Sequence, residues 1–220
     1  MKQKVSDYIA DRLAQEGISQ VFTVTGGGAM HLNDSLGHHP GLSCLYHHHE
    51  QAAAMAAEAY ARVDNRMAAV CVTSGPGATN AITGALCAWM DSIPMLVLSG
   101  QVRYDTTVRH SGLKIRTMGV QEYDITPSVE PMTKYAVMVT DPLTIRYHLE
   151  RAIYLAKTGR PGPCWLDLPL NVQSAVVETD DLKAYDPSED AKELPAPVSE
   201  ETVKKILEKL KLASQPLIFA

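Results

Sequence analysis

The chain has 220 residues, of which 45% are hydrophobic and 20% charged, and its formal net charge is -5 at pH 7. This predicts a globular domain with part of a second one. It argues against a nucleic-acid partner, and no apolar run approaches the length that spans a bilayer. The N-terminus has no apolar signal core and the cysteines form no C-x-x-C pair, so we expect a cytoplasmic protein with reduced thiols.

Apolar, β-branched strands alternate with helical segments along most of the chain. The predicted strands span residues 21–25, 42–46, 67–74, 94–100, 134–139 and 163–168. The predicted helices cover the segment from Val5 to Leu13 and, approximately, residues 29–36, 50–62, 78–90 and 143–157. Near-continuous apolar strands in this alternation predict the α/β class, with a doubly wound, mainly parallel sheet and helices on both faces, as in a flavodoxin-like three-layer sandwich.

The texture of the sequence changes after Pro169. Residues 178–193 are mostly acidic and polar, and prolines punctuate the stretch, which is typical of an interdomain linker. Ser199 is expected to cap a helix with acidic residues in its first turn, and a strand is expected to begin at Pro216. The predicted divisions are a first domain at 1–175, a linker at 176–198 and the truncated start of a further domain at 199–220.

Three consecutive histidines, His47, His48 and His49, suggest a metal site at first sight. Adjacent residues of a strand point to opposite faces, whereas zinc ligands come from positions that converge. We therefore predict no metal site in this chain. We expect His47 and His48 to be ordinary residues at a strand end and His49 to help place the junction before Glu50.

Two glycine-rich turns follow predicted strands. Gly26–Gly28 lies where a dinucleotide fingerprint would lie, but the G-x-G-x-x-G pattern and the downstream acid are absent, so NAD binding receives little support. The second turn, "TSGPG" at 73–77, bends the backbone sharply before a helix. A ligand-facing loop and a plain strand-to-helix turn explain it equally well.

Glu50 stands at a strand-to-helix junction, before an alanine-rich run. A helix-start glutamate stabilised by the helix dipole is one explanation. The alanines favour another, because their small side chains allow close packing against the helix. A carboxylate at the head of such a helix can lose its hydration and share a proton with a ligand.

Four segments in order and at family-like spacing give a more specific indication. The segments are "HEQAAAMAAEAYAR" (49–62), "TSGPGATNAITGALCAWMDSIPMLVLSGQV" (73–102), "QEYDIT" (121–126) and "GRPGPCWLDLPLNVQ" (159–173). Together they resemble the pyrimidine-binding domain of thiamine-diphosphate enzymes, and the pattern is most similar to acetolactate synthase and its relatives among the 2-oxo-acid decarboxylases and carboligases. The resemblance covers about residues 1–175.

The resemblance implies thiamine diphosphate as the cofactor and a role for each matching position. Glu50 matches the catalytic glutamate that hydrogen-bonds a ring nitrogen of the aminopyrimidine, favours its imino tautomer and so activates the thiazolium carbon. The other matching positions are expected to contact the cofactor, at Thr25, Gly26, Thr73, Pro76 and Asn80, or to face the substrate, at Val120 and Gln121.

Two departures from the family pattern bear on the reaction. Thr25 stands where acetolactate synthases usually have proline, and Val120 stands where they usually have a phenylalanine that shapes the acceptor site. The predicted activity is therefore that of an acetolactate synthase-like carboligase or decarboxylase acting on a 2-oxo acid. A plain decarboxylase, an oxidase, a carbon–carbon hydrolase and a non-catalytic binding module of the same fold stay as alternatives.

The chain lacks the G-D-G motif with which the family binds magnesium and diphosphate. The resemblance therefore implies that Mg²⁺ and diphosphate bind to a domain outside this chain, contributed by a partner subunit in a homodimer or homotetramer. We expect the 220-residue piece alone to be inactive. The sequence leaves FAD binding open.

Overall fold

The computed structural model of the protein describes residues 1–64, 66–191 and 196–218. The strands are β1 Lys2–Lys4, β2 Gln20–Thr23, β3 Ser43–Tyr46, β4 Ala68–Val72, β5 Met95–Gln101, β6 Tyr135–Met138, β7 Pro163–Pro169 and β8 Val176–Glu178. The α-helices are α1 Val5–Gln15, α2 Met30–His38, α3 Glu50–Asp64, α4 Pro76–Asn80, α5 Ile82–Met90, α6 Val108–Ser111, α7 Thr126–Val129, α8 Ile145–Lys157, α9 Leu170–Gln173 and α10 Glu200–Leu212. None of these helices has both the length and the apolar character needed to cross a membrane.

Six strands form one sheet in the order β3-β2-β4-β5-β7-β6, and every neighbouring pair is parallel. The predicted α/β class with a parallel sheet is therefore confirmed. Because β2, β3 and β4 are neighbours with the same direction, the loops that follow them meet at one edge of the sheet. Such an edge, beyond the carboxyl ends of the strands, is where open α/β sheets bind ligands.

Each face of the sheet has its own apolar core, because alternate residues of a strand point to opposite faces. Leu96 and Leu98 of β5 point into the core under α1, α2 and α8, whereas Met95 and Val97 point into the core under α3 and α5. All four side chains are fully buried. Two covered faces explain why the strand sequences are apolar almost throughout.

The alanine-rich run of α3 packs mainly inside the chain. Ala53, Ala54 and Ala57 are fully buried against α5 and the sheet. A β-carbon added at Gly84 of α5 would lie only 2.4 Å from the β-carbon of Ala54, so the two helices approach as closely as their backbones allow. The close packing that the alanines indicated is therefore formed within the chain by the buried ones, whereas Ala52 and Ala59 lie on the exposed side.

Several element boundaries differ from the sequence-based expectation. The helix expected at 78–90 begins earlier, with Pro76 in its first turn, and is interrupted at Ala81. Proline favours this position because the first turn of a helix does not use its N–H. The segment after the strand predicted at 94–100, where no helix was predicted, contains a 3₁₀ turn and the short helix α6. Residues 216–218 form no strand, and the remainder of the strand expected there lies outside the described residues.

Part of the predicted linker packs on the sheet domain. Strand β8 pairs antiparallel with β1, Val177, Leu182 and Tyr185 are buried, and both oxygens of Asp190 accept hydrogen bonds from Arg151 at 2.8 and 2.9 Å. Residues 192–195 lie outside the described part of the chain. Ser199 caps α10 as expected, by accepting a hydrogen bond from the Thr202 N–H. The domain boundaries themselves stay predictions.

Candidate functional site

Glu50 is the first residue of α3, directly beyond the carboxyl end of the edge strand β3. Its side chain is half-buried, and Oε2 accepts a hydrogen bond of 2.9 Å from Asn80 Nδ2 at the end of α4. No donor in the described part of the chain reaches Oε1. His49 supports the helix start, because its Nδ1 accepts a hydrogen bond of 3.1 Å from the Gln51 N–H. One carboxyl oxygen is thus fixed by the protein and the other is available to a ligand.

The floor beside this carboxyl is made of glycines packed against one threonine. Thr73 follows β4, and its Oγ1 accepts a hydrogen bond of 3.0 Å from the Gly28 N–H. A β-carbon at Gly26 would lie 2.4 Å from Thr73 Cβ, and one at Gly77 would lie 2.7 Å from Thr73 Cγ2 and 3.4 Å from Glu50 Oε1. The two turns and the glutamate therefore interlock, and any side chain at Gly26 or Gly77 would fill the space between them.

The second turn also meets the segment that contains Gln121. Gly75 has a φ of +57°, a conformation that favours glycine, and a β-carbon there would lie 2.2 Å from the Gln121 carbonyl oxygen. Gln121 itself has a φ of +56°, which is uncommon for a residue with a side chain. The turn at 73–77 thus contacts Glu50 on one side and the Gln121 backbone on the other.

The sequence-predicted site residues fall into two groups. The structure brings Glu50, Thr73, Gly26 and Asn80 into one connected cluster, with the backbone of Gln121 adjoining it through Gly75. Three other predicted residues are solvent-exposed and lie outside the cluster: Thr25, Pro76 and Val120, the last with 83% of its surface exposed. The Thr25 hydroxyl makes no hydrogen bond among the described residues.

The three histidines do not converge. His47 packs its ring against Phe22 at a centroid distance of 5.9 Å and bonds the Leu45 carbonyl, whereas His49 caps α3. Across the described ranges, no group of three or more histidine, cysteine, aspartate or glutamate side chains is arranged to hold a metal ion.

The sequence did not lead us to predict a set of buried polar side chains that hydrogen-bond the segments next to the site. Gln173 is fully buried and its Nε2 donates to the carbonyls of Gly28 and Leu168 at 2.7 and 2.6 Å. Gln101 and Asp167 are likewise buried, at the ends of β5 and β7. For Asp167 the signal was present in the sequence, because it interrupts the otherwise apolar strand predicted at 163–168, where an uncompensated polar group is costly.

Burial raises the pKa of the Asp167 carboxyl to about 7, although hydrogen bonds from Ser99 and Gln101 act in the opposite direction. The carboxyl pairs with Ser99 Oγ at 2.6 Å, and that hydroxyl accepts from Trp165 Nε1 at 2.8 Å. Its charged neighbours are Asp124, which raises the pKa further, and Arg109, which lowers it.

Comparison with known proteins gives a consistent result. The family model described as "Thiamine pyrophosphate enzyme, N-terminal TPP binding domain" matches residues 3–122. The acetolactate synthase large subunit of Lactococcus lactis is 35% identical over 220 residues, which cover 98% of this chain and 36% of that protein. The acetolactate synthase isozyme 3 large subunit of Escherichia coli is 33% identical over 221 residues, covering 97% of this chain and 36% of that protein.

A plant protein, acetolactate synthase 1 (chloroplastic) of Oryza sativa, is 32% identical over 221 residues, covering 99% of this chain and 32% of that protein. The chain therefore spans about a third of the length of these relatives. The part matched by the family model contains the Glu50 cluster and ends one residue after Gln121.

Proposed function

The chain belongs to the thiamine pyrophosphate enzyme family, as an acetolactate synthase-like N-terminal TPP binding domain, and from this premise we propose that Glu50 activates the cofactor for reaction with a 2-oxo acid. The observation that carries the proposal is the position of the Glu50 carboxyl. Asn80 fixes one of its oxygens and the other adjoins the glycine floor at Gly77.

The residues present fit a flat heteroaromatic ring. The floor at Gly26 and Gly77 has no β-carbon, and a β-carbon at Gly77 would lie 3.4 Å from Glu50 Oε1. Of the two glycines, Gly77 therefore leaves the surface beside Oε1 without a side chain, so a ligand there can approach the backbone. Oε1 lacks a protein donor within the described residues, so it is available to a ring nitrogen. A planar ring with a hydrogen-bonding nitrogen at its edge matches both features.

In this arrangement Oε1 of Glu50 would hydrogen-bond the ring nitrogen of the aminopyrimidine and share a proton with it. Asn80 keeps the carboxyl in one orientation, so the proton is presented at a fixed place. Bound thiamine diphosphate supplies the electron sink for cleaving the bond next to the carbonyl of a 2-oxo acid. Thr73 keeps the floor compact, through contacts with both glycine turns.

We assign the substrate side of the site to Gln121 and Val120. The exposed amide of Gln121 can donate to the carboxylate or carbonyl oxygen of a 2-oxo acid. Val120 offers a small aliphatic side chain in place of a ring, which favours a different acceptor from that of acetolactate synthases. Because Val120 departs from the family pattern, decarboxylation, oxidation and hydrolytic cleavage with the same cofactor stay as alternative reactions.

The family resemblance implies that another domain completes the site, since these 220 residues contain no G-D-G motif for the metal and diphosphate. We propose that the diphosphate-binding domain of a second subunit supplies Mg²⁺ and covers the Glu50 carboxyl, in a homodimer or homotetramer. Exposed apolar side chains on the outer surface of α3 and α5 support a protein contact there: Met55, Leu86, Trp89 and Met90. A cytoplasmic location is part of the same proposal, and FAD binding stays open.

The test compares two glutamates of α3 in the complete protein, supplied with thiamine diphosphate, Mg²⁺ and a panel of 2-oxo acids. Glu50→Gln should lower kcat by about 10²- to 10⁴-fold, the range typical for loss of a general acid–base group. Glu58→Gln is the control, since Glu58 lies two turns away and pairs with Arg62. Equal turnover by wild type and Glu50→Gln would contradict the proposal, and the products formed by wild type distinguish the reactions.

A further inference from the structure

The four residues 121–124 form a short segment at the edge of the site, and each is held by a different interaction. The carbonyl of Gln121 packs over Gly75, and Gln121 has its uncommon positive φ. The Gln121 side chain is exposed and has no protein hydrogen-bond partner among the described residues. The backbone of this residue is therefore fixed while its amide is left available.

Glu122 organises the loop on one side of Gln121. Its Oε1 accepts a hydrogen bond of 2.6 Å from the Val108 N–H, and its Oε2 accepts from the N–H groups of Met118 and Gly119 at 2.8 and 3.0 Å. One carboxylate thus joins both ends of the loop at 108–119. Charge-assisted bonds to backbone N–H groups are stronger than neutral ones, so this single side chain closes the loop.

Gln101 holds the other side. Its Nε2 donates one hydrogen to the Tyr123 carbonyl at 2.8 Å and the other to Asp167 Oδ2 at 3.0 Å, while its Oε1 accepts from the Val102 N–H at 3.0 Å. All three interactions are satisfied in one orientation of the amide. Reversing the amide would place its oxygen against the Tyr123 carbonyl and the Asp167 carboxyl, so these two acceptors determine the orientation of the Gln101 amide.

We propose that Glu122 and the buried Gln101–Asp167 pair are positioning residues that fix the backbone of Gln121 beside the glycine turn and thereby set the affinity of the site for its 2-oxo acid. This inference rests on the proposed function, in which Gln121 contacts the substrate. Glu122 holds the loop at 108–119, and Gln101, at the end of strand β5, holds the Tyr123 backbone. Neither touches the Glu50 cluster, so their effect is separate from activation of the cofactor.

The experiment uses the complete protein with thiamine diphosphate and Mg²⁺ and compares Glu122→Ala, Glu122→Gln and Gln101→Met. Ser99→Ala is the matched control, because Ser99 also hydrogen-bonds Asp167 in the buried network, but its hydroxyl bonds no residue of the 121–124 segment among the described residues. Three quantities are measured: KM and kcat for the preferred 2-oxo acid, exchange of the proton at the thiazolium carbon, and backbone amide exchange at residues 108–124.

Glu122→Ala and Gln101→Met should lower kcat/KM by about tenfold to a hundredfold, mainly through KM, because small misplacements of a positioning group have effects of this size. Amide exchange at 108–124 should accelerate, whereas proton exchange at the thiazolium carbon should stay within about twofold. Glu122→Gln, which retains one acceptor oxygen, should recover part of the loss. Ser99→Ala should lower thermal stability without raising KM.

Equal KM changes in Ser99→Ala and Gln101→Met would overturn the inference, because they would show a general effect of the buried network. An unchanged KM in Glu122→Ala would overturn it as well, and this variant is expected to fold since Glu122 lies in a solvent-exposed loop. Failure of the proposed function has a different signature, in which Glu50→Gln leaves the thiazolium proton exchange unaffected.

Discussion

The cofactor side and the substrate side of the site are built in opposite ways. On the cofactor side, Thr73 packs so closely on Gly26 and Gly77 that a β-carbon at either glycine would lie within 2.7 Å of it, and Glu50 adjoins Gly77. On the substrate side, Val120 is 83% exposed and Gln121 extends from a loop held by a few hydrogen bonds. Close packing tolerates little change, whereas a hydrogen-bonded loop can change its sequence while it keeps its anchors.

The contrast separates the residues proposed for cofactor activation from those proposed for substrate choice. In the proposed function, activation of the cofactor depends on geometry that this chain supplies through backbone packing at the edge of the sheet. The choice of substrate would depend on exposed side chains, and on the groups that cover them in the proposed assembly. Under this proposal a relative with the same cofactor side can catalyse a different reaction, which agrees with the departure at Val120.

The largest effect is expected from Gly77→Ala. The added carbon would lie 2.7 Å from Thr73 Cγ2 and beside Glu50 Oε1, so either the threonine or the carboxyl must move. We expect affinity for thiamine diphosphate, measured by calorimetry in the presence of Mg²⁺, to fall by about a hundredfold, as for other small misplacements in a preorganised site. Gly27→Ala is the control, because no atom lies within 4 Å of its added carbon. Similar thiamine diphosphate affinities in the two variants would contradict the close packing that we assign to the cofactor side at Gly77.

Gly84→Ala tests the packing that carries Glu50. Its β-carbon would lie 2.4 Å from that of Ala54, so α3 and α5 must separate. We expect the free energy of unfolding to fall by about 1 to 3 kcal/mol, the usual cost of overpacking a core. Ala59→Leu, on the exposed side of α3, should change stability by less than about 0.5 kcal/mol. Denaturant titration measures both, and equal stabilities would show that the helix contact is loose.

Asp167→Asn tests the support of the substrate side through pH. Burial raises the pKa of the Asp167 carboxyl from its ordinary 3.8 to about 7, so ionisation opposes folding. Its contribution to stability is complete below about pH 4 and is lost as the pH rises through 7. Between these values, wild type should lose about 1.4 kcal/mol per pH unit relative to the variant. Parallel pH–stability curves for the two proteins would show that Asp167 does not titrate in this window.

Val120→Phe should have the smallest effect on stability. The side chain is exposed, so unfolding free energy should change by less than about 0.5 kcal/mol. The ring would restore the residue that acetolactate synthases usually have at this position, and we expect the ratio of carboligation to simple decarboxylation products to rise. Product analysis by chromatography measures the ratio. An unchanged ratio would place the determinant of acceptor choice outside the loop.

The fold was accessible from the sequence because the pattern reflects local physics. Buried parallel strands must be apolar on both faces, and glycine turns must follow them where backbone comes close to backbone, as at Gly26 and Gly77. Glu50 could be found as an acid at a strand-to-helix junction. Its partner Asn80 was proposed only through the family resemblance, since spacing alone does not indicate that their side chains meet.

Other features depend on tertiary contacts that no local pattern reveals. The hydrogen bond from the Gly28 N–H to Thr73 joins residues 45 positions apart, and the hydrogen bond from Gln173 to the Gly28 carbonyl joins residues 145 positions apart. The alanine run indicated close packing, but not that the contact partner was α5 of the same chain. Glu122 resembled any polar loop residue, because its role follows from three backbone N–H groups that converge only in the folded loop.

The central claim is that the Glu50 carboxyl, fixed by Asn80 beside the Gly77 floor, activates the bound cofactor. Exchange of the proton at the thiazolium carbon reports this activation before any substrate reacts, and it can be followed by rapid quench and proton NMR in the complete protein with Mg²⁺. We predict that Glu50→Gln slows the exchange by about 10²-fold or more, whereas Glu122→Ala leaves it within about twofold. An exchange rate in Glu50→Gln equal to that of wild type would contradict the account.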